Sequence, residues 1–354
     1  MKPALKPWEA LQGRLHVKLL PQVLCLLLFP AIVAAAPPKV AWRTHTGDRA
    51  EHGAALLGGR FFAAGTHKLT ELDPATGDIR RFLLPPDSTP LTSPPVATDA
   101  GVVSGDRAGR LVLWVAEAPA VVLGALRRAR PVTALHPGDP DGLVTGDEAG
   151  CVHVLDGLGA KVWSHCTGGA IGRSLTVAAG LILAGDPTGR VTTWSGDRGA
   201  LRWIYDTDGP LAGAPAVFGE AVVLVGTDGH LYALDRARGV LRWRVHVGDR
   251  LQAPPAWFGG LVILATETRG LVAIDGTTGK VAWRASLPSS KASPAVLGDL
   301  VVVGASDNRL HGFDAKTGRA RWRVRVGGVV LAPPLLHEAG ILAITEDGVA
   351  FCLR

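Results

Sequence analysis

Acidic side chains recur at one turn of a sequence repeat, and their type and spacing could do chemistry. Carboxylates brought together by a ring of repeats could hold a hard cation such as Ca²⁺. Alternatively, each acid could bond the backbone of its own turn, as Asp commonly does. The sequence favours the second interpretation, so we expect no metal site. The acids are Asp106, Asp147, Glu148, Asp186, Asp228, Glu267, Asp307, Glu346 and Asp347.

Histidine and cysteine are the other side chains that could bind metals or react. Five histidines fall at different positions of the repeat, so no metal-ligand spacing is evident. Cys151 and Cys166 flank a predicted hairpin centred on residues 156–160, which makes them a candidate disulfide. An oxidising compartment would permit this bond, whereas a register shift of one residue would separate the two side chains. The five histidines are His153, His165, His230, His246 and His311.

A repeat of about forty residues must position these side chains. Its clearest copy, residues 274–283, reads as a strand, an Asp-led turn with Gly, and a second strand that carries Trp283. This period is typical of a four-stranded propeller blade. The tryptophans that mark it are separated by 40, 40, 40 and 39 residues: Trp163, Trp203, Trp243, Trp283 and Trp322.

The repeats predict an all-β fold: an eight-bladed β-propeller of four-stranded antiparallel blades. A small-polar turn after a β-branched run returns in eight copies, from Gly65-Thr66 to Ile344-Thr345. The last copy ends without a Trp strand, whereas residues 40–45, with Trp42, precede the first full copy. We therefore expect the N-terminal strand to pair in the last blade and close the ring, since an open array would expose strand edges. A seven-bladed ring is the competing count, because blade two is degenerate.

The first 36 residues have the pattern of a secretory signal peptide. Residues 1–18 carry four bases against one acid, an apolar run spans residues 19–33, and three alanines follow. An uncleaved membrane anchor is the alternative. Residues 37–354 are then expected to form one propeller domain. Cleavage would lower the net charge from +6 to about +3, so the basic composition is no argument for nucleic-acid binding.

The Asp-x-x-Thr-Gly-Lys-x-x-Trp pattern, as in residues 275–283, resembles the pyrroloquinoline-quinone (PQQ) repeat, the tryptophan-docking motif of the quinoprotein superfamily. Within this superfamily the chain is similar to the BamB-like branch of outer-membrane assembly scaffolds. The resemblance implies that the repeat tryptophans are structural and pack across to the adjacent blade. By that match the docking residues are Trp42, Trp163, Trp203, Trp243, Trp283 and Trp322.

The same repeat occurs in enzymes and in non-enzymatic scaffolds, so fold alone does not give the function. The resemblance implies that a quinoprotein dehydrogenase would use a platform of adjacent cysteines, a Ca²⁺ ion and a catalytic acid. This chain has no adjacent cysteine pair, and its repeats are uniformly short. We therefore expect a periplasmic or cell-envelope scaffold, monomeric, with protein partners, no catalytic residue and no cofactor. A PQQ-dependent dehydrogenase is the alternative.

Overall fold

Eight four-stranded antiparallel sheets build residues 37–354 in a computed structural model. The structure describes residues 37–50, 53–115, 120–125, 132–137, 142–157, 159–171 and 174–354. The predicted signal peptide, residues 1–36, lies outside these described residues. Across the described ranges, no helix is long and apolar enough to cross a membrane.

Each of the first four blades contains four strands that are consecutive in the chain. Their bounds are β2 Ala54–Leu57, β3 Arg60–Ala64, β4 Leu69–Leu72 and β5 Ile79–Leu83 in blade 1; β6 Val96–Thr98, β7 Gly101–Gly105, β8 Arg110–Trp114 and β9 Val121–Ala125 in blade 2; β10 Val132–Pro137, β11 Leu143–Asp147, β12 Cys151–Leu155 and β13 Lys161–Cys166 in blade 3; and β14 Leu175–Ala178, β15 Leu181–Gly185, β16 Arg190–Ser195 and β17 Leu201–Asp206 in blade 4. A short 3₁₀ helix, Pro86–Ser88, follows blade 1.

The other four blades repeat this pattern, except that the last one takes its fourth strand from the N-terminus. Their bounds are β18 Ala216–Phe218, β19 Ala221–Val225, β20 His230–Asp235 and β21 Leu241–His246 in blade 5; β22 Ala256–Phe258, β23 Leu261–Thr266, β24 Gly270–Asp275 and β25 Val281–Ala285 in blade 6; β26 Ala295–Leu297, β27 Leu300–Ala305, β28 Arg309–Asp314 and β29 Ala320–Arg325 in blade 7; and β30 Leu335–His337, β31 Gly340–Ile344, β32 Val349–Leu353 and β1 Val40–His45 in blade 8.

The ring closes in blade 8, where β1 pairs antiparallel with β32. Trp42 lies opposite Cys352 and Arg43 opposite Phe351, while Lys39 and Arg354 exchange backbone hydrogen bonds of 2.6 and 2.9 Å. The eight-blade count and this closure are therefore confirmed. The pairing covers edges that an open array would expose.

Burial changes in a regular way from the first to the fourth strand of a blade. First strands of neighbouring blades contact one another, which places them nearest the axis of the ring. Second and third strands are almost fully buried, whereas fourth strands alternate between exposed and half-buried residues. The consecutive apolar residues of the second strands fit this position, because both of their faces meet a neighbouring blade.

Alternate residues of one buried strand serve two different interfaces. In β27, Val302 packs with Leu310 and Phe351 against blade 8. Val301 and Val303 point the other way and pack against blade 6. Eight such apolar clusters, one between each pair of adjacent blades, hold the described ring together.

A tryptophan on the fourth strand connects most blades to the next one. The Trp203 indole N–H donates a 2.9 Å hydrogen bond to the carbonyl of Arg236, and its ring lies against Gly239. A Cβ atom at Gly239 would come within 2.6 Å of the ring. The same pair of contacts occurs for Trp42 on Pro74 and Gly77, Trp163 on Gly196 and Gly199, Trp243 on Gly276 and Gly279, and Trp283 on Ala315 and Gly318.

Three blades depart from this contact. Trp322 lies against Gly312 of its own blade, because the turn that would receive it is replaced by the paired chain ends. In blade 2, Leu123 lies against Gly159 of blade 3. In blade 1, Arg81 occupies the tryptophan position opposite Glu71.

The blade 1 position holds an ion-paired cluster in place of an aromatic ring. The Glu71 side chain is only 1% exposed and accepts hydrogen bonds from Arg81 Nε at 2.6 Å and Arg60 Nη1 at 2.9 Å. A buried carboxylate needs such partners to offset its loss of hydration. Phe82, the next residue, is 50% exposed, with the Lys68 ammonium 4.0 Å from its ring centre.

Replacing the glycine that packs against a docking tryptophan should measure how much the tryptophan–glycine contact contributes to the free energy of unfolding. Gly239→Ala places a methyl group against Trp203 at φ +69°, whereas Gly219→Ala, at φ +55° in an exposed turn, meets nothing within 4 Å. Both variants carry the cost of a left-handed conformation, roughly 1–2 kcal/mol. We expect Gly239→Ala to lose about 1–3 kcal/mol more in free energy of unfolding, by overpacking. Denaturant titration checks this, and equal losses would show that the docking contact contributes nothing.

Candidate functional site

The acids at the turns between second and third strands are engaged in their own blades. Asp186 Oδ1 accepts hydrogen bonds from the Thr188 N–H at 2.8 Å and from the Arg190 N–H at 3.2 Å. Asp106 accepts from the Arg110 N–H at 2.9 Å and from its Nε at 2.7 Å. These contacts are the turn interactions that Asp favours.

Five of the remaining acids at this turn also have local partners. The Cys151 N–H donates to Asp147 at 2.9 Å, and the His230 N–H donates to Asp228 at 3.1 Å. His311 bonds Asp307, Thr345 bonds Asp347, and Arg49 bonds Glu346 from the adjacent connection. The exposed Glu148 and the half-buried Glu267 complete the set that the sequence singles out.

Two other acids, which the sequence analysis does not single out, join adjacent blades on the face of the propeller that carries the acidic turns. Asp249, after the last strand of blade 5, accepts hydrogen bonds from the Thr268 and Arg269 N–H groups of blade 6 at 2.5 and 2.8 Å. Asp48 reaches the His67 N–H of blade 1 in the same way, at 2.6 Å. The triplet Gly-Asp-Arg occurs four times, at residues 47–49, 105–107, 196–198 and 248–250. Only the first and last copies directly follow a fourth strand, and that position is the sequence signal for the two acids.

Asp249 has a strongly perturbed pKa. Burial opposes its ionisation, but the N–H groups of Thr268 and Arg269 outweigh that effect and lower its pKa to about 2. A carboxylate that accepts several N–H bonds is stabilised in its charged form.

The histidines are less isolated than the sequence suggests. His230 and His246 lie opposite each other on adjacent strands, with ring centres 4.6 Å apart. His230 Nδ1 is 2.8 Å from Asp228 Oδ2. These two histidines flank the hairpin of blade 5 in the same way that the cysteines flank the hairpin of blade 3, so their spacing in the sequence predicts the contact. His165 instead stacks on Trp194 at 6.0 Å.

In blade 3, Cys151 and Cys166 face each other across β12 and β13 and are joined by a disulfide of 1.99 Å. His153 lies beside this bond, with its Nε2 3.2 Å from Asp147 Oδ2. Burial opposes ionisation of Asp147, but the hydrogen bonds from His153 and from the Cys151 N–H outweigh it and lower the pKa. Cys352 is a buried free thiol, whose pKa burial raises.

A groove of about 970 Å³ opens between blades 3 and 4, on the face opposite the acidic turns. Its floor is apolar and includes the buried side chains of Val144, Leu155 and Ile182. Val162, which is 56% exposed, forms part of its wall. Charged groups stand at its edge: Asp156, Asp197 and Arg202.

Local sequence changes accompany the groove. Where the other strong repeats carry an aliphatic or phenyl side chain before Asp, blade 4 carries Trp194 and Ser195. Trp194 is buried, with its ring centre 6.4 Å from that of Trp163. An apolar hollow with a few polar groups is the usual form of a binding site, so this groove is the candidate site for a partner.

Fold and repeat together define the class of protein: an eight-bladed β-propeller whose blades carry tryptophan contacts. A family model described as outer membrane protein assembly factor BamB matches residues 148–250 and 232–352, more than half of the chain. The chain belongs to this family of PQQ-repeat β-propellers. A comparison with curated protein sequences gives no match.

Solved structures with the same fold include a BamB protein, a designed protein and dehydrogenases. BamB from Moraxella catarrhalis has a TM-score of 0.73 and 19% identity, covering 90% of this chain and 99% of that one. A computationally designed protein has a TM-score of 0.76 and 19% identity, covering 88% and 98%. Quinohemoprotein alcohol dehydrogenase from Comamonas testosteroni has a TM-score of 0.72 and 13% identity, covering 90% and 76%. At these identities the likeness shows the fold alone.

Asp249 should make the stability of the ring depend on acid pH. Its folded-state pKa of about 2 lies below the unfolded value near 3.9. Its contribution is therefore fully present above about pH 4 and is lost as the pH falls through 2. We expect the melting-temperature gap between the native chain and Asp249→Asn to shrink over that window. The control, Asp99→Asn in an exposed hairpin turn, should leave the profile unchanged; a constant gap for Asp249→Asn would contradict the assignment.

The disulfide is testable without changing the sequence. The sample is the chain without residues 1–36, which removes Cys25. After unfolding and alkylation, intact mass should show one modified cysteine, Cys352, in the unreduced chain. The reduced chain should show three. Three modified cysteines without reduction would mean that the bond does not form.

Proposed function

We propose that this chain is an exported, non-enzymatic scaffold that binds protein partners in the cell envelope, in the process of outer-membrane protein assembly. The observation that carries the proposal is the apolar groove between blades 3 and 4, with charged groups at its edge. Membership of the BamB family supports the same process. The proposal that the chain is exported rests on the signal pattern of residues 1–36. We expect no membrane span once this segment is removed.

The groove suits an extended partner segment better than a small polar substrate. Valine, alanine, isoleucine and leucine supply half of its lining residues, and burial of partner side chains there would contribute roughly 25 cal/mol per Å² of apolar surface. Asp197 and Arg202 at its edge would orient the segment, because charges at a rim contribute more to register than to affinity.

A PQQ-dependent dehydrogenase is the second candidate, favoured by the shared fold with quinohemoprotein alcohol dehydrogenase and with a europium-containing methanol dehydrogenase. The match covers 76% and 83% of those enzymes, against 99% of BamB. The turn acids of this chain also accept hydrogen bonds within their own turns. Tight binding of PQQ with Ca²⁺, followed by dye reduction with an alcohol, would establish the enzyme and overturn the scaffold.

A charge placed in the groove wall should disrupt partner binding. We expect Val162→Asp to lower recovery of a bound envelope protein at least tenfold, since a carboxylate in an apolar contact loses its hydration. The measurement is affinity purification from envelope extract, with a photo-crosslinker at Val162 to identify the contacting partner. Val240, 59% exposed on blade 5 compared with 56% for Val162, supplies the matched control Val240→Asp. Equal recovery with both variants would show that the groove does not bind the partner.

A further inference from the structure

The disulfide hairpin of blade 3 carries more chemistry than a cross-link requires. Asp147 ends β11, Cys151 and His153 lie on β12, and Cys166 ends β13. The carboxylate of Asp147, the imidazole of His153 and the sulfur of Cys151 place their ligand atoms within 4.8 Å of one another. A hard, an intermediate and a soft donor therefore meet at one end of a single hairpin.

The geometry is close to what a tetrahedral metal ion needs. Bond lengths of about 2.0–2.3 Å place the ligands of zinc roughly 3.3–3.8 Å apart. Asp147 Oδ2 and His153 Nε2 are already 3.2 Å apart. The other oxygen, Asp147 Oδ1, accepts the Cys151 N–H at 2.9 Å, which fixes the orientation of the carboxylate. The carboxylate and imidazole are both largely buried, with side-chain exposures of 4% and 13%.

The equivalent cross-strand position in other blades also carries polar pairs. Blade 4 places Arg190 opposite Asp206 as an ion pair, and blade 5 places two imidazoles, His230 and His246, opposite each other. In blade 3 the two sulfurs occupy this position, in direct register. As a disulfide they are poor ligands, because metals bind the thiolate.

We propose that reduction converts this hairpin into a binding site for a thiophilic divalent cation of the Zn²⁺ type, held by Cys151, Cys166, His153 and Asp147. An external dithiol supplies two electrons and two protons; the S–S bond breaks, two thiols form, and the dithiol becomes a disulfide. Binding of the cation then releases up to two thiol protons. The disulfide and the bound cation exclude each other, so a metal cross-link between the two strands replaces the S–S cross-link.

Mutual exclusion gives the site a regulatory property. A ligand that binds only one form stabilises that form by mass action, so the cation favours the reduced chain and raises its resistance to reoxidation. The hairpin also borders the blade 3–blade 4 interface, where Val152 and Val154 of β12 pack with Ile182 and Trp194. Either cross-link therefore holds the same strands beside the partner groove.

The test uses Co²⁺ as a spectroscopic probe with the purified chain, after reduction and removal of the reductant without oxygen. The reduced chain should bind one equivalent with a thiolate-to-cobalt charge-transfer band that Zn²⁺ abolishes, whereas the oxidised chain should show no band. Cys151→Ser and Cys166→Ser should abolish the band. His153→Gln and Asp147→Asn should weaken binding at least tenfold.

Two control variants separate this site from other groups of the same type. Cys352→Ser removes the free thiol, and His311→Gln removes the histidine that faces Asp307 in blade 7. Both should retain the band and its affinity. Circular dichroism reports whether the reduced chain keeps its β structure. Loss of that structure, a band that survives Cys151→Ser, or unchanged affinity in both His153→Gln and Asp147→Asn would overturn the proposal.

Discussion

The contact of a tryptophan indole with a glycine of the next blade is the constraint on which the arrangement of blades in the propeller depends. Adjacent blades already share apolar clusters, but apolar packing is non-directional. The indole adds direction: Trp243 donates one hydrogen bond to Gly276 at 2.9 Å and covers Gly279, where φ is +72°. Only glycine combines that backbone conformation with room for the ring. A repeat of constant length then sets a constant angle between blades.

The exceptions show what else can serve at the same position. Arg81 of blade 1 forms an ion pair with the buried Glu71 of its own blade, and Leu123 of blade 2 places its backbone carbonyl and Cβ against Gly159 of blade 3. Both substitutes lack the indole N–H. Around these two blades the ring relies on its apolar clusters, in which Trp114 and Leu91 are buried.

The period of the repeat made the fold predictable, because forty residues with one Trp and one Asp-led turn fit few architectures. Closure was predictable from Trp42, which had no blade of its own. The site was less predictable, since it depends on register and on contacts between repeats. The blade-to-blade bond of Asp249 and the Arg60–Glu71 ion pair join residues whose pairing no period specifies. The hairpin register predicts the His230–His246 pair, whereas the positions of the histidines in the repeat do not.

Irregularity and candidate function coincide in the part of the ring formed by blades 3 and 4. The strong repeats of blades 5 to 7 have an aliphatic or phenyl side chain before Asp, and buried apolar clusters lie between these blades. Blade 4 has Trp194 and Ser195 instead, and the groove lies beside them. A hollow next to a repeated structural contact lowers local packing density, which costs stability. The Cys151–Cys166 bond joins β12 and β13, the two strands that line the groove at their other end through Val154 and Val162. A cross-link in this one blade therefore fits the hypothesis that the groove is kept open for a partner.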